Sequence, residues 1–152
     1  MTRVALDSNI LAYLAGVERA EADKEKIERI RALVEALSAV TLIAPVQALS
    51  ELFVVLRKSG ESAAGAREML ARFAESFAAP PSERQTALAA ADLVVDHKLQ
   101  FWDALIVTAS ADAGCLLLLS EDMQHGFVTR GMTVIDPLAE PAHPKLAALL
   151  GA

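Results

Sequence analysis

The chain has 152 residues, 54% of them hydrophobic and 22% charged, with a formal net charge of −6. That is the size of one domain with a real core, and the composition excludes a disordered chain. The acidic balance argues against indiscriminate binding to nucleic acid or anionic membrane, because each phosphate contact wants a Lys or Arg.

Val4, Ala5 and Leu6 form a short apolar run that breaks at Asp7, and from Ile10 the apolar residues recur as Ile10, Leu11 and Leu14 at helical spacing. A strand therefore ends at Asp7, and Ser8 or Asn9 offers a side-chain oxygen to cap the helix that follows. Open parallel sheets bind ligands beyond the carboxyl ends of their strands, which is where Asp7 stands. The plainer alternative is that Asp7 is itself the cap.

Glu18 to Arg31 is dense in charges of both signs, and Ile27, Ile30, Val34 and Leu37 follow at spacings of three and four. This predicts one long amphipathic helix with a solvated charged face. Val40–Ala44 is β-rich, and Pro45 suits the first turn of a helix over Val46–Arg57. Its main apolar arc is Leu49, Leu52, Phe53 and Leu56. Glu51 lies off that arc, beside Gln47, Val54, Val55 and Lys58, so the wheel leaves its direction open and periodicity favours the surface. Gly60 ends the helix. Glu61–Phe77 carries a further stripe of Met69, Leu70, Phe73 and Phe77. Phe77–Pro81 suits a short edge strand, where proline is tolerated, and Ser82 with Glu83–Val95 another helix.

Asp103 opens a nearly apolar run of helical length and shares a stripe with Ile106, Val107 and Ser110. Gly114 stops that helix. Cys115–Leu119 is a continuous apolar strand, the mark of a parallel strand covered on both faces, and it ends in Ser120-Glu121-Asp122. Adjacent positions in an extended chain point apart, so only one of Glu121 and Asp122 faces the strand end productively. Thr133–Ile135 is a last strand, closed by Asp136-Pro137. Residues 1–136 then form one unit, and 137–152 a proline-punctuated tail with a short helix over Lys145–Leu150. The alternation predicts an α/β fold, a three-layer α/β/α sandwich with a mainly parallel sheet.

No apolar run approaches the roughly twenty residues of a membrane span, and no secretory leader is visible. A single cysteine excludes an internal disulfide. The expectation is a cytoplasmic protein with Cys115 as a buried thiol.

Asp7 and Asp122 stand at strand ends, and Asp103 opens a helix entering the same edge. Crowded carboxylates need a cation or protons to coexist. Oxygen-only donors select hard ions such as Mg²⁺ or Mn²⁺, and no His/Cys set with zinc spacing is present. Such a site suits phosphoryl chemistry, with metal activating water and stabilising the leaving oxygen.

V-A-L-D-S-N-I-L, S-E-L-F, F-W-D-A-L-I and L-S-E-D-M-Q-H-G, in that order, resemble the signature segments of PIN-domain ribonucleases, especially VapC-type toxins of toxin–antitoxin pairs. The resemblance covers residues 3 to 136; each segment alone is weak, and the ordered set is specific. It implies that Asp7, Glu51, Asp103 and Asp122 are the catalytic acidic quartet, with Asp7, Asp103 and Asp122 holding Mg²⁺ or Mn²⁺. It implies supporting hydrogen bonds from Ser8, Asn9 and Ser120, and a five-stranded sheet of order 3-2-1-4-5. It further implies an RNA substrate, a homodimer and a small antitoxin partner.

Arg57, Lys58 and Lys98, each close in sequence to a helix end near one of the signature segments, are candidates for the RNA rim. The apolar stripes Ile27–Leu37 and Met69–Phe77 are candidates for the dimer face. Phe101 and Trp102 read as packing at a helix start, and His97, His125 and His143 as surface or loop residues. Two other functions compete. A phosphatase-type aspartyl nucleophile wants a second Asp two residues on, where Asn9 stands, and a receiver domain wants a lysine after its last strand, where Asp136-Pro137 stands. The other is a PIN fold kept only for binding.

Overall fold

The short apolar runs of the sequence become the middle of one sheet. The computed structural model describes residues 1–151. In order it has β1 (Arg3–Leu6), α1 (Ser8–Leu14), α2 (Asp23–Ala36), β2 (Thr41–Ile43), α3 (Val46–Lys58) and α4 (Ala63–Ser76). There follow α5 (Arg84–His97), α6 (Phe101–Asp112), β3 (Leu117–Leu119), β4 (Val128–Thr129), β5 (Met132–Ile135) and α7 (Pro144–Leu149).

The strand order is β2-β1-β3-β5-β4. β1 runs parallel to β2 and β3, and β3 parallel to β5, while β4 is antiparallel to β5. β1 thus lies where the chain first builds to one side and then to the other, a topological switch point. All of Val4–Leu6, Leu117–Leu119 and Met132–Ile135 are buried, so both faces of the sheet are covered. The helices that cover it pack as α5 with α6, and as α1 with α2 and α3, with α4 on α3.

The expected order 3-2-1-4-5 holds, with its edge position reduced. Phe77–Pro81 contributes one parallel bridge, Ile43 to Ala78, through Ala44 N–H to Ala78 O at 2.8 Å and Ala78 N–H to Leu42 O at 3.1 Å. Pro80 and Pro81 have no N–H with which to extend it. The fifth strand of the sheet is instead β4, folded onto β5 by the two-residue turn Arg130-Gly131, whose φ values of 52° and 80° suit a tight hairpin.

Two expectations are corrected. The amphipathic helix begins at Asp23 rather than at Glu18, the start of the charge run, because the Asp23 carboxylate is spent on the preceding turn, accepting from Arg19 N–H at 2.8 Å and Ala20 N–H at 3.1 Å. The two stripes proposed for a dimer face are consumed by the fold. Ile27, Ile30 and Leu37 are core, and Met69, Leu70, Phe73 and Phe77 pack half-buried against it.

The tail docks on its own domain. Arg29 reaches Glu140 at 2.9 Å, Lys145 donates to Thr133 Oγ1 at 2.7 Å, and Leu146 is buried. His143 caps α7, accepting from Lys145 N–H at 3.1 Å.

Candidate active site

Parallel pairing of Leu6 with Leu119 sets Asp7 and Ser120 side by side at the carboxyl edge, where Asp7 N–H continues the ladder to Leu119 O at 3.0 Å. Asp7 leaves the strand with extended backbone and caps α1, its Oδ1 accepting from Ser8 N–H at 2.7 Å. The cap oxygen therefore comes from Asp7, not from Ser8 or Asn9. That frees the Ser8 hydroxyl and the Asn9 amide to face carboxylates. Asp7 Oδ2 accepts from the Ser120 hydroxyl at 2.6 Å and from Asn9 Nδ2 at 3.3 Å.

Asp7 is only 3% exposed. Burial raises its pKa to about 6 against the lowering effect of the Ser120 and Ser8 hydrogen bonds, and Glu51 and Asp103 repel the charge further. Asp103, in the first turn of α6 and half-buried, is also raised, first by burial and then by Glu51 and Asp122. Each of these two acids feels its neighbours, so the fields of all four carboxylates overlap in one cleft.

Glu51 points into that cleft. Its Oε2 accepts from the Ser8 hydroxyl at 2.7 Å, which decides the direction that helical periodicity left open and reverses its preference for the surface. Asp122 is exposed on the loop after β3 and accepts from Asn9 Nδ2 at 3.1 Å. Its neighbour Glu121 turns away, accepting from the Tyr13 hydroxyl and pairing with Lys26 at 2.8 Å. Burial, then Glu121, pushes Tyr13 up to about 12, and the Glu121 bond raises Lys26 to about 12.

The electrostatics are one-sided. Among the described residues, the ion pairs leave all four carboxylates without a Lys or Arg partner. No three Asp, Glu, His or Cys side chains there are already gathered tightly enough to hold a metal ion. The donor chemistry nonetheless fits a hard divalent cation: oxygen only, unpaired, and with a buried acid whose charge is costly until something positive arrives.

The basic candidates stand outside the cluster. Arg57 donates to Glu61 O at 3.1 Å, closing the end of α3. Lys58 lines a furrow of about 460 Å³ with Glu18, Arg19, Val55 and Ser59. Lys98 is exposed and ends α5 with a left-handed φ of 58°. Arg19, Tyr13 and Lys26 were not legible as site neighbours: Tyr13 sits in an apolar stripe, and the two cations in a mixed-charge run. Trp102 is not packed at the start of α6 but 57% exposed. With Val46, Val54 and Glu51 it lines an apolar cavity of about 450 Å³.

The chain thus sets an acid cluster at the switch point of a mainly parallel α/β sheet. The family model for the PIN domain matches residues 4–127, and the chain belongs to the PIN-domain family. Its fold is similar to that of a chain of VapBC2 from Rickettsia felis, a structure bound to a DNA fragment from its promoter. The TM-score is 0.61 at 14% identity, covering 88% of this chain and 97% of that one. It is also similar to VapC20 of Mycobacterium tuberculosis, described as a sarcin–ricin-loop-cleaving toxin. There the TM-score is 0.60 at 15% identity, covering 78% of this chain and 91% of that one. No curated protein matches the sequence significantly. Among the described residues, no helix is long and apolar enough to cross a membrane.

Proposed function

We propose that this PIN-domain chain is a Mg²⁺- or Mn²⁺-dependent endoribonuclease, the toxin of a toxin–antitoxin pair. The observation that carries the reading is the cleft of four carboxylates, Asp7, Glu51, Asp103 and Asp122, none of them paired with a Lys or Arg among the described residues. Asp7, Asp103 and Asp122 would hold the ion, and Glu51 completes the cluster. A bound divalent ion supplies an activated water and stabilises the leaving oxygen of the phosphodiester. The chain's own residues do the rest. Ser8 aims Glu51, Ser120 and Asn9 fix Asp7 Oδ2, and Asn9 also fixes Asp122. The acids face phosphate only when a cation offsets their field, so metal and substrate bind cooperatively.

The partners follow from the same reading. The fold of the Rickettsia felis pair supports a small antitoxin, and a cytoplasmic setting suits an RNA target. A homodimer is placed on a different face, the patch of Val46, Val54 and Trp102, because the α2 stripe is largely core and the α4 stripe packs half-buried against it. Lys58, Lys98 and Arg57 remain candidates for phosphate contacts, joined by Arg19.

A second reading is a PIN fold kept for binding alone. An aspartyl phosphotransfer role is weakened by Asp7 itself, whose two oxygens are both engaged and which is 3% exposed. The deciding experiment is cleavage of RNA by the full chain with Mn²⁺, with Mg²⁺ and with chelator, alongside Asp103→Asn. Metal-dependent cleavage lost in the variant supports the enzyme. Mn²⁺ binding without cleavage of any RNA supports the silent module.

A further inference from the structure

Between Ser120 and Asp122, two residues placed at the cluster, stands Glu121, which faces the other way and is held by three groups. The Tyr13 hydroxyl of α1 donates to Oε1, and Lys26 of α2 pairs with Oε2 at 2.8 Å. The Glu121 backbone N–H donates to Asn9 Oδ1 at 3.1 Å. Lys26 Nζ also lies 6.0 Å from the centre of the Tyr13 ring, so the two partners of Glu121 support each other. Tyr13 is 9% exposed, and the Glu121 side chain 21%. A half-buried, doubly bonded carboxylate of this kind is a fixed point in a loop that otherwise runs exposed from Asp122 to Gly126 but for half-buried Met123.

We propose that Tyr13, Glu121 and Lys26 form a clamp that positions Asp122 and Asn9 for the metal and keeps Glu121 from competing as a ligand. The Asn9 amide has one orientation that works. With Oδ1 taken by Glu121 N–H, Nδ2 is left to donate to Asp7 Oδ2 at 3.3 Å and Asp122 Oδ2 at 3.1 Å. Move Glu121, and the anchor that orients this bridge goes with it. The small cavity beside the clamp, about 60 Å³ and lined by Asn9, Tyr13, Glu121 and Asp122 among others, is far below the few hundred Å³ of a ligand site. These groups therefore position ligands and do not themselves receive substrate.

The inference rests on the metal-site reading above, and its test separates the two. Mn²⁺ affinity of the full chain is measured by titration calorimetry and by the electron-spin signal of bound Mn²⁺, with melting of the metal-free protein followed in parallel. Lys26→Met removes the ammonium that pairs with Glu121 from a partly exposed side chain and keeps the core. Tyr13→Phe deletes one hydroxyl, and Lys26→Arg is the conservative variant. Loss of a group that orients metal ligands costs roughly 10- to 100-fold in affinity, so Lys26→Met and Tyr13→Phe should weaken Mn²⁺ binding by about tenfold. Lys26→Arg should restore it, and the maximal rate at saturating Mn²⁺ should stay near wild type. Mn²⁺ affinity within twofold of wild type in both Lys26→Met and Tyr13→Phe overturns the clamp. If Asp122→Asn also leaves Mn²⁺ affinity unchanged, the metal site itself is misplaced and the clamp falls with it.

Discussion

The Ser8 hydroxyl donates to Glu51 Oε2 across 2.7 Å, tying the first turn of α1 to the middle of α3. It joins the two helices on the edge where β1 ends, and it draws Glu51 of α3 into the acid cluster. A hydrogen bond to a charged group contributes about 1.5–3 kcal/mol, and here it sets direction as well as energy.

Ser8→Ala should therefore leave Glu51 free to swing outward. The expected result is an RNA-cleavage rate lowered roughly tenfold, corresponding to about 1.4 kcal/mol of transition-state stabilisation, with metal affinity little changed. Ser8 is not the cap of α1, so the fold should survive, with melting lowered by the lost bond at about 2–4 °C per kcal/mol. A variant with full activity would show that Glu51 does not need this bond.

Asp7 predicts a pH dependence of the metal-free protein. Its folded pKa, about 6, lies above the ordinary carboxylate value of 3.8. The folded state therefore binds the proton more tightly than the unfolded chain. Its stability contribution is fully present below pH 4 and is lost as pH rises through 6. The shift corresponds to at most about 3 kcal/mol. Metal-free protein should melt higher near pH 5 than near pH 7.5, and Asp7→Asn should flatten that difference while abolishing cleavage. Asn retains a cap oxygen for Ser8 N–H, so the fold should survive. Saturating Mn²⁺ should reverse the trend in wild type only, since ligand at 100 times its Kd adds about 2.7 kcal/mol. Melting curves at two pH values, with and without Mn²⁺, test each sign.

The sheet was largely legible because buried parallel strands write themselves as unbroken apolar runs, as in Val4–Leu6 and Cys115–Leu119. The pieces that were not legible depend on tertiary pairing. Val128-Thr129 is too short to read as a strand, although Arg130-Gly131 carries a hairpin signal that a Gly-centred search would have found. The direction of Glu51 was invisible to a helical wheel because one hydrogen bond from another helix fixes it. Conversely, the opposed directions of Glu121 and Asp122 were expected from alternation along an extended chain, but the chain bends at both residues, and Tyr13 and Lys26 hold Glu121 away from the cluster. The acids of the cluster were picked out by chain position together with family resemblance. Their networks through Tyr13, Lys26 and Asn9 required coordinates.

The rim cations predict a salt dependence. Lys58 shares a furrow with Arg19, and a second small cavity joins Arg19 to Asn9 and Asp122, so this side leads toward the cluster. Binding of RNA to inactive Asp103→Asn protein with Mn²⁺ should weaken with salt. Arg19→Ala or Lys58→Ala should lower the slope by about one phosphate contact each. Lys98→Ala should do the same if RNA crosses the start of α6, and Arg57→Ala less, since its guanidinium is already engaged. Unchanged slopes in all four variants would clear this rim of any role.

The last prediction concerns the face that the fold leaves apolar. Val46, Val54 and Trp102 are 45%, 50% and 57% exposed and line one cavity, while the α2 stripe is largely core and the α4 stripe packs half-buried against it. Large apolar side chains grouped at the surface mark partner sites, and aromatic residues are enriched at such centres. A second copy of the chain covering this face would bury Trp102 and stand close to Glu51, which lines the same cavity. Light scattering at micromolar concentration should find a dimer for wild type and a monomer for the double variant Val54→Asp, Trp102→Ala. Both positions are exposed, so the monomer should stay folded, with a melting temperature within a few degrees of the wild type. If Trp102 instead stacks on an RNA base, Trp102→Ala should weaken RNA binding by about 1–3 kcal/mol without changing the mass in solution. A wild-type protein that remains monomeric at high micromolar concentration, with unchanged RNA affinity in Trp102→Ala, would leave this face without either role.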